Sequence, residues 1–469
     1  MKIVLISPKG PLYRHKGGIF KKSLRYQPLT LTTLAALIPP ELNASVELID
    51  EGIQEIPNDL QADLIGMTVI TGTAKRSYAL ARRFRDRSIP VVLGGPHVTL
   101  LPEEALENAD AICSGYSEES WPRLLRDFAA GRLQRHYRQD SRLSLGENLP
   151  FPHRERFDSS NFLTQAVFEA TRSCAHDCEF CVAPAAWGRQ QLQRPVEWVI
   201  EDIRRVGQKK ILFVDLNLVS DLAYAKQLFQ ALIPLNVQWY GLSTVIIGHD
   251  PALMELMARS GCKGLLLGLE TLSEAGLKET GKRFNSSIDY RQLIGDLHQL
   301  GIAVQGCFVF GLDDDTPDVF DATVQLALDA AIDLPRFAVL TPFPGTPLFH
   351  RLEAEERILN RDWEQYDGQH VVFQPQQMSV QALAEGHERA WKAAYRWGNI
   401  GKRLWRAGNL KPLAISANLG YRFYAHNLQR FYTCDLPIHS LLPNPRTLWQ
   451  PEQAEISTSQ SSNRSVCGG

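Results

Sequence analysis

Along the first 145 positions, short apolar runs alternate with stretches of helical spacing. Ile3 to Ile6, Val46 to Ile49, Leu64 to Val69 and Val91 to Leu93 read as strands, whereas Leu29 to Leu37 and Ala74 to Arg85 read as helices. Strands separated by helices imply a parallel sheet covered on both faces, with its ligand at the carboxyl ends of the strands. Those ends carry loop-forming residues: Ser7-Pro8, Thr68 with Thr71-Gly72-Thr73, and Gly94-Gly95-Pro96-His97. The glycine pair permits close backbone approach and Pro96 stiffens the turn, although an ordinary strand-to-helix turn would look the same. No G-x-G-x-x-G follows the first strand, which argues against a dinucleotide site.

A second series of strand-like runs follows at Ala166 to Ala170, Lys210 to Val214, Val237 to Leu242, Gly264 to Leu269, Ala303 to Phe310 and Pro335 to Leu340. Helical patterns separate them, so an incomplete α/β barrel is expected, with polar residues at strand ends as candidates for chemistry. From Ser379 the pattern is helical. Between Arg389 and Lys411, basic residues interleave with Trp391, Tyr395, Trp397, Leu404 and Trp405. Such helices can cap the barrel with basic side chains laid over apolar surface, or make a peripheral membrane contact. The cap is favoured, because the chain as a whole carries no attractive charge for a membrane. Tyr421, Phe423, Tyr424, Phe431 and Tyr432 wall an apolar pocket or simply pack helices. The Gln/Ser/Thr/Asn-rich stretch after Pro451 reads as a disordered tail.

Length and charge change the picture little. The 469 residues carry a net charge of -2, so no global field favours nucleic acid. No run approaches the roughly 18 apolar residues of a membrane span, and a cytoplasmic, reducing location is expected. The eight cysteines matter more. Cys113, Cys434 and Cys467 are isolated, and Cys262 and Cys307 lie on or beside apolar runs as expected of core thiols.

Cys174, Cys178 and Cys181 are spaced C-x3-C-x2-C. A closed zinc site wants four ligands, usually in two pairs; no second C-x-x-C pair exists, and His176 sits awkwardly inside the first loop. A [4Fe–4S] cube normally takes four thiolates, so three cysteines on one loop would leave an iron open to a further ligand.

The segment Thr171-Arg172-Ser173-Cys174-Ala175-His176-Asp177-Cys178-Glu179-Phe180-Cys181 resembles the signature of the radical S-adenosylmethionine superfamily. The N-terminal Gln27-Pro28-Leu29, Ile49-Asp50-Glu51-Gly52, Gly66-Met67-Thr68 and Val92-Leu93-Gly94-Gly95-Pro96-His97-Val98-Thr99 resemble the cobalamin-binding domain that precedes many such enzymes. Ala111 to Glu118 resembles that domain's Gly-Glu turn, with Tyr116 and Ser117 departing from it. The cobalt-ligating D-x-H-x-x-G motif is absent, as is common in the radical branch. His97 is the remaining histidine to weigh as a cobalt ligand.

The resemblance implies an α/β protein: a Rossmann-like cobalamin-binding domain at residues 1–145, a linker at 146–164, a partial (β/α)6 TIM-like radical barrel at 165–375, a C-terminal α-helical region at 376–450 and a tail at 451–469. It implies that Cys174, Cys178 and Cys181 hold a [4Fe–4S] cluster whose open iron binds S-adenosyl-L-methionine. Phe180, Asp215, Asn217, Glu270, Gly306 and Gly311 would line the S-adenosylmethionine site, and Thr68, Gly94, Gly95 and Pro96 the cobalamin site. The implied reaction is radical methylation of an unactivated carbon in a small-molecule or lipid-like substrate, with flavodoxin or ferredoxin as external electron donor. Methionine, 5′-deoxyadenosine and S-adenosylhomocysteine would be its products. Non-methylating relatives that cyclise tetrapyrroles or rearrange rings are the alternative within the family, and a non-catalytic cobalamin or metal sensor is the alternative outside it. Asp313 to Asp315 also invite a calcium-loop reading, but lack the glycine and distal glutamate of that motif.

Overall fold

The computed structural model describes residues 1–10, 26–139, 149–409 and 411–428. Strands β1 Lys2–Ser7, β2 Ser45–Asp50, β3 Leu64–Thr68, β4 Val91–Gly94, β5 Ala111–Gly115 and β6 His136–Gln139 form one parallel sheet in the order β2-β1-β3-β4-β5-β6. Ile3 to Ile6 are fully buried, as a sheet covered on both faces requires. Val4, Ile6, Ile65 and Leu93 pack with Leu80 and Phe84 on one face, and Ile3, Leu5 and Val92 pack with Trp121 and Leu124 on the other. The winding reverses between β1 and β3, the position at which open α/β sheets leave a ligand crevice.

The second sheet runs β14-β13-β12-β11-β10-β7, all parallel. Its members are β7 Val167–Phe168, β10 Lys210–Phe213, β11 Gln238–Ser243, β12 Cys262–Glu270, β13 Ala303–Phe310 and β14 Leu334–Val339. The short antiparallel pair β8 Thr171–Arg172 and β9 Leu192–Gln193 stands beside it. Among the described residues β14 and β7 are not paired, so the six strand–helix units make an open, partial barrel. On β13, Val304, Phe308 and Phe310 are buried in the helix-covered core, and strand alternation leaves Gln305 and Cys307 on the lumen face.

Two features make the halves one packed body. Residues 149–164 are a fastened connector: Phe151 stacks on Trp198 at 4.7 Å, and buried Arg154 makes a bidentate pair with Asp202 at 2.7 and 2.8 Å. Beyond the barrel, Phe349, Trp363, Tyr366 and Val372 return to the core of the first sheet. The helices Val380–Ala394, Trp397–Arg406 and Pro412–Ala425 then cover the β14 edge. Trp391 Nε1 donates to the Phe337 carbonyl at 3.0 Å and Tyr395 Oη to that of Pro335 at 2.8 Å, so side chains satisfy the free edge. Phe431, Tyr432, Cys434, Cys467 and the tail from 451 lie outside the described residues.

Candidate active site

The cysteine loop leaves the end of β7 through a carboxylate anchor. Asp215, just past β10, accepts from Ala170 N at 3.0 Å, from Thr171 Oγ1 at 2.8 Å and from Thr171 N. Burial, together with nearby Glu169, pushes its acid up to about 7 against the pull of those donors. Asp215 is therefore spent on the backbone that enters the loop. A free role as a ligand to S-adenosylmethionine is not what the geometry gives it.

The loop itself is held from several sides. Ser173, immediately before the first cysteine, has a left-handed backbone with φ 64, which its hydroxyl stabilises by donating to the Gly188 carbonyl. Gly281, at φ +74, lies so close that a Cβ there would meet the Asp177 carbonyl at 2.7 Å. Phe284 stacks on His176 at 4.4 Å, which occupies that histidine in packing. Arg351 donates to Glu179 of the loop at 2.8 Å, to Asp313 at 2.6 Å and to Glu279 at 2.9 Å. All three residues of the acidic run act within the protein: Asp313 in that hub, Asp314 with the Ser273 hydroxyl, and Asp315 by accepting from Gly311 N at 2.8 Å.

Cys178 is buried and Cys174 and Cys181 are partly exposed. Burial pushes the Cys178 thiol up to about 12, with Lys282 opposing and Cys181 and Cys174 adding to the shift. Among the described residues no three Cys, His, Asp or Glu side chains converge on a single point. Asn217 lies beside the cysteine loop: its Nδ2 is 4.0 Å from Cys174 Sγ and donates to Ser220 Oγ at 2.9 Å.

Glu270 closes β12 with φ 65 and is ion-paired to buried Lys282. The pair lies over Gly268, where any Cβ would collide with both partners. Lys282 is the residue that sequence reasoning missed; it lies 12 positions from Glu270, on a turn with no motif of its own. Phe180 is partly buried against the barrel core. Gly306 and Gly311 have packing reasons to lack a side chain. A Cβ on Gly306 would meet Ile332 and Leu269 at 3.0 Å, and one on Gly311, at φ +102, would meet Leu383 at 2.8 Å. Cys307 is half-buried on the lumen face, which corrects the expectation of a core thiol; Cys262 is fully buried.

At the carboxyl edge of the first sheet, Thr68 and Gly94 are register partners. Gly95 has φ +108 and sits against Val69, where a Cβ would lie 2.8 Å from the Val69 carbonyl. Pro96 opens the next helix. Thr99 Oγ1 accepts from Gly115 N at 2.9 Å, joining neighbouring strand ends into one small-residue rim that a flat ligand can approach. His97 is fully buried, with Nδ1 3.3 Å from Thr71 Oγ1, Nε2 3.2 Å from Glu104 and its ring against Trp363. Both nitrogens are engaged, so His97 is not placed to ligate cobalt. The two rims meet: Glu118, after the β5 turn, pairs with Arg172, which also donates to Glu169 at 2.7 Å.

A three-thiol loop at the carboxyl end of a partial barrel, joined to a sheet with a small-residue rim, defines an enzyme site built for two cofactors. The sequence matches the B12 binding domain over residues 35–125, the radical SAM superfamily over 168–327 and a domain of unknown function over 346–431. It is 30% identical over 394 residues to bacteriochlorophyllide d C-12(1)-methyltransferase of Chlorobaculum tepidum, covering 80% of this chain and 84% of that protein. The C-8(2)-methyltransferase of the same organism is 28% identical over 393 residues, covering 79% and 86%. The solved structure of the cobalamin-dependent S-adenosylmethionine radical enzyme OxsB matches the fold with a TM-score of 0.65 at 15% identity, covering 91% of this chain and 72% of that one. The chain belongs to the cobalamin-binding radical S-adenosylmethionine enzymes.

Proposed function

We propose that this enzyme methylates an unactivated carbon of a small-molecule or lipid-like substrate. The observation that carries the reading is the Arg172–Glu118 pair, which joins the cysteine loop to the rim of the cobalamin-type sheet and so sets the two candidate cofactor sites side by side. The methyltransferases named above, which align over four-fifths of the chain, support it.

In this reading Cys174, Cys178 and Cys181 hold a [4Fe–4S] cluster, and Thr68, Gly94, Gly95 and Pro96 border cobalamin. The cluster supplies one-electron cleavage of S-adenosylmethionine and cobalamin supplies methyl transfer. Phe180, Asn217 and Glu270 remain the candidates around S-adenosylmethionine, with Lys282 holding the Glu270 carboxylate in place. Asn217 donates toward Cys174 Sγ and would tune the electron density of that thiolate once a cluster is bound. Asp215 fixes the approach of the loop. In this reading residues 1–145 and 165–375 are the two cofactor-binding units, and the C-terminal helical region 376–450 belongs with the barrel. The location is cytoplasmic, with a flavodoxin- or ferredoxin-type reductant.

The test is anaerobic reconstitution with iron, sulfide and cobalamin, followed by incubation with methyl-labelled S-adenosylmethionine, reductant and a metabolite extract of the host. Label on carbon in one extract component supports the reading. Cleavage to 5′-deoxyadenosine with no labelled acceptor and no S-adenosylhomocysteine favours a cyclase or rearrangement instead.

A further inference from the structure

The helices Trp397–Arg406 and Pro412–Ala425 have two unlike faces. On the inner face Ile400, Leu404 and Tyr424 are buried, and fully buried Arg403 donates to the carbonyls of Ile332, Asp333 and Ala394. On the outer face Trp405 is 76% exposed, Trp397 and Leu413 are 62% exposed, and Leu419 and Ile415 are above 40%. A tryptophan held this far into water forgoes most of the area it could bury, and several large apolar side chains left exposed on one short pair of helices mark an interaction surface.

Along this stretch of the chain the charge has one sign, with Arg406 reaching an acidic partner beyond it, Asp329 at 3.6 Å. From Arg389 to Leu428 the chain has eight Lys or Arg and no Asp or Glu, although the whole chain balances 50 basic against 52 acidic residues. Arg396, Lys402 and Lys411 are exposed and make no ion pair among the described residues. The occupant must therefore be anionic. A second copy of this chain would set like charges against like charges, which opposes self-association through this face.

We propose that this face docks on an anionic lipid bilayer. The tryptophan rings and the leucines enter the headgroup boundary, while Arg396, Lys402 and Lys411 reach lipid phosphate. No helix among the described residues is long and apolar enough to cross a membrane, so the contact is peripheral. The near-neutral total charge is no objection, since only charges within a screening length of about 8–10 Å from the surface count. The proposal stands on the C-terminal helices alone and does not depend on the methylation reading.

The full chain is sedimented with vesicles of phosphatidylcholine alone or mixed with phosphatidylglycerol, at low and high salt. Binding is expected only to the anionic vesicles, weakened by salt. Lys402→Glu and Lys411→Glu should each lower the partition by roughly fivefold or more. Trp405→Ser should lower it further while leaving melting temperature and dithionite-driven S-adenosylmethionine cleavage unchanged, and adding Trp397→Ser, which also frees Arg422 from its stack on that ring at 4.4 Å, should lower it again. Failure to bind anionic vesicles, or binding indifferent to these variants, overturns the proposal. So does a dimer in solution that the tryptophan variants dissociate.

Discussion

Arg172 and Glu118 form an ion pair across the junction of the two sheets, with Arg172 two residues before Cys174 of the cysteine loop. Glu118 is almost fully buried and Arg172 also holds Glu169, which in turn takes Arg194. Removing the shared cation should hurt more than removing one of its anions. Arg172→Gln leaves two carboxylates short of a partner and is expected to cost about 3–5 kcal/mol in thermal or denaturant unfolding. Glu118→Gln leaves the Glu169 pair in place. It should cost less and keep the brown cluster absorbance, while lowering turnover that needs both cofactors.

The cysteines should separate cleanly. Ala at Cys174, Cys178 or Cys181 is expected to abolish cluster absorbance after reconstitution and with it S-adenosylmethionine cleavage. Ser at Cys113 or Cys262 should keep the cluster, because both thiols are buried away from the loop. Iron and sulfide assays per chain check this.

Asp215 predicts a pH dependence. Its acid is pushed up to about 7, so between the ordinary carboxylate range near 4 and pH 7 the folded chain binds more protons than the unfolded one. The group's contribution to stability is full below that range, falls as pH rises to about 7 and is then level. Across pH 5 to 7 the melting temperature of the wild type should decline relative to that of Asp215→Asn. A parallel course of the two curves would contradict the assignment.

Gly268→Ala tests the Glu270–Lys282 pair without touching either residue, because the new methyl occupies the place where the pair lies. The expected result is weaker S-adenosylmethionine binding with the cluster retained, read by titrating the reconstituted protein. Overpacking of this kind also costs stability, roughly 1–3 kcal/mol.

Much of this architecture is legible in the sequence. The helix expected at Ala74 to Arg85 has those bounds, and the six runs of the second series became the six strands of the barrel sheet. Strand β6 was not legible, because His136-Tyr137-Arg138-Gln139 is an edge strand with a single apolar residue. Faces were harder still. Alternation along β13 shows that neighbours face opposite ways, yet it does not say which side the helices cover, and so Cys307 read as core. Roles set by distant partners were invisible: Asp215 looks like a ligand until the backbone amides of 170 and 171 are seen on it. The C-terminal helices were expected to cap the barrel. They cover the β14 edge, while their outer face carries exposed tryptophans that make the membrane contact, disfavoured by chain-wide charge, worth testing.

The measurement that bears most directly on the central claim is the product balance of the reconstituted enzyme. With cluster, cobalamin, reductant and the acceptor found by labelling, S-adenosylhomocysteine and 5′-deoxyadenosine should accumulate in equal amounts, each matched by methylated product. Formation of 5′-deoxyadenosine and product without S-adenosylhomocysteine would contradict radical methylation by this chain.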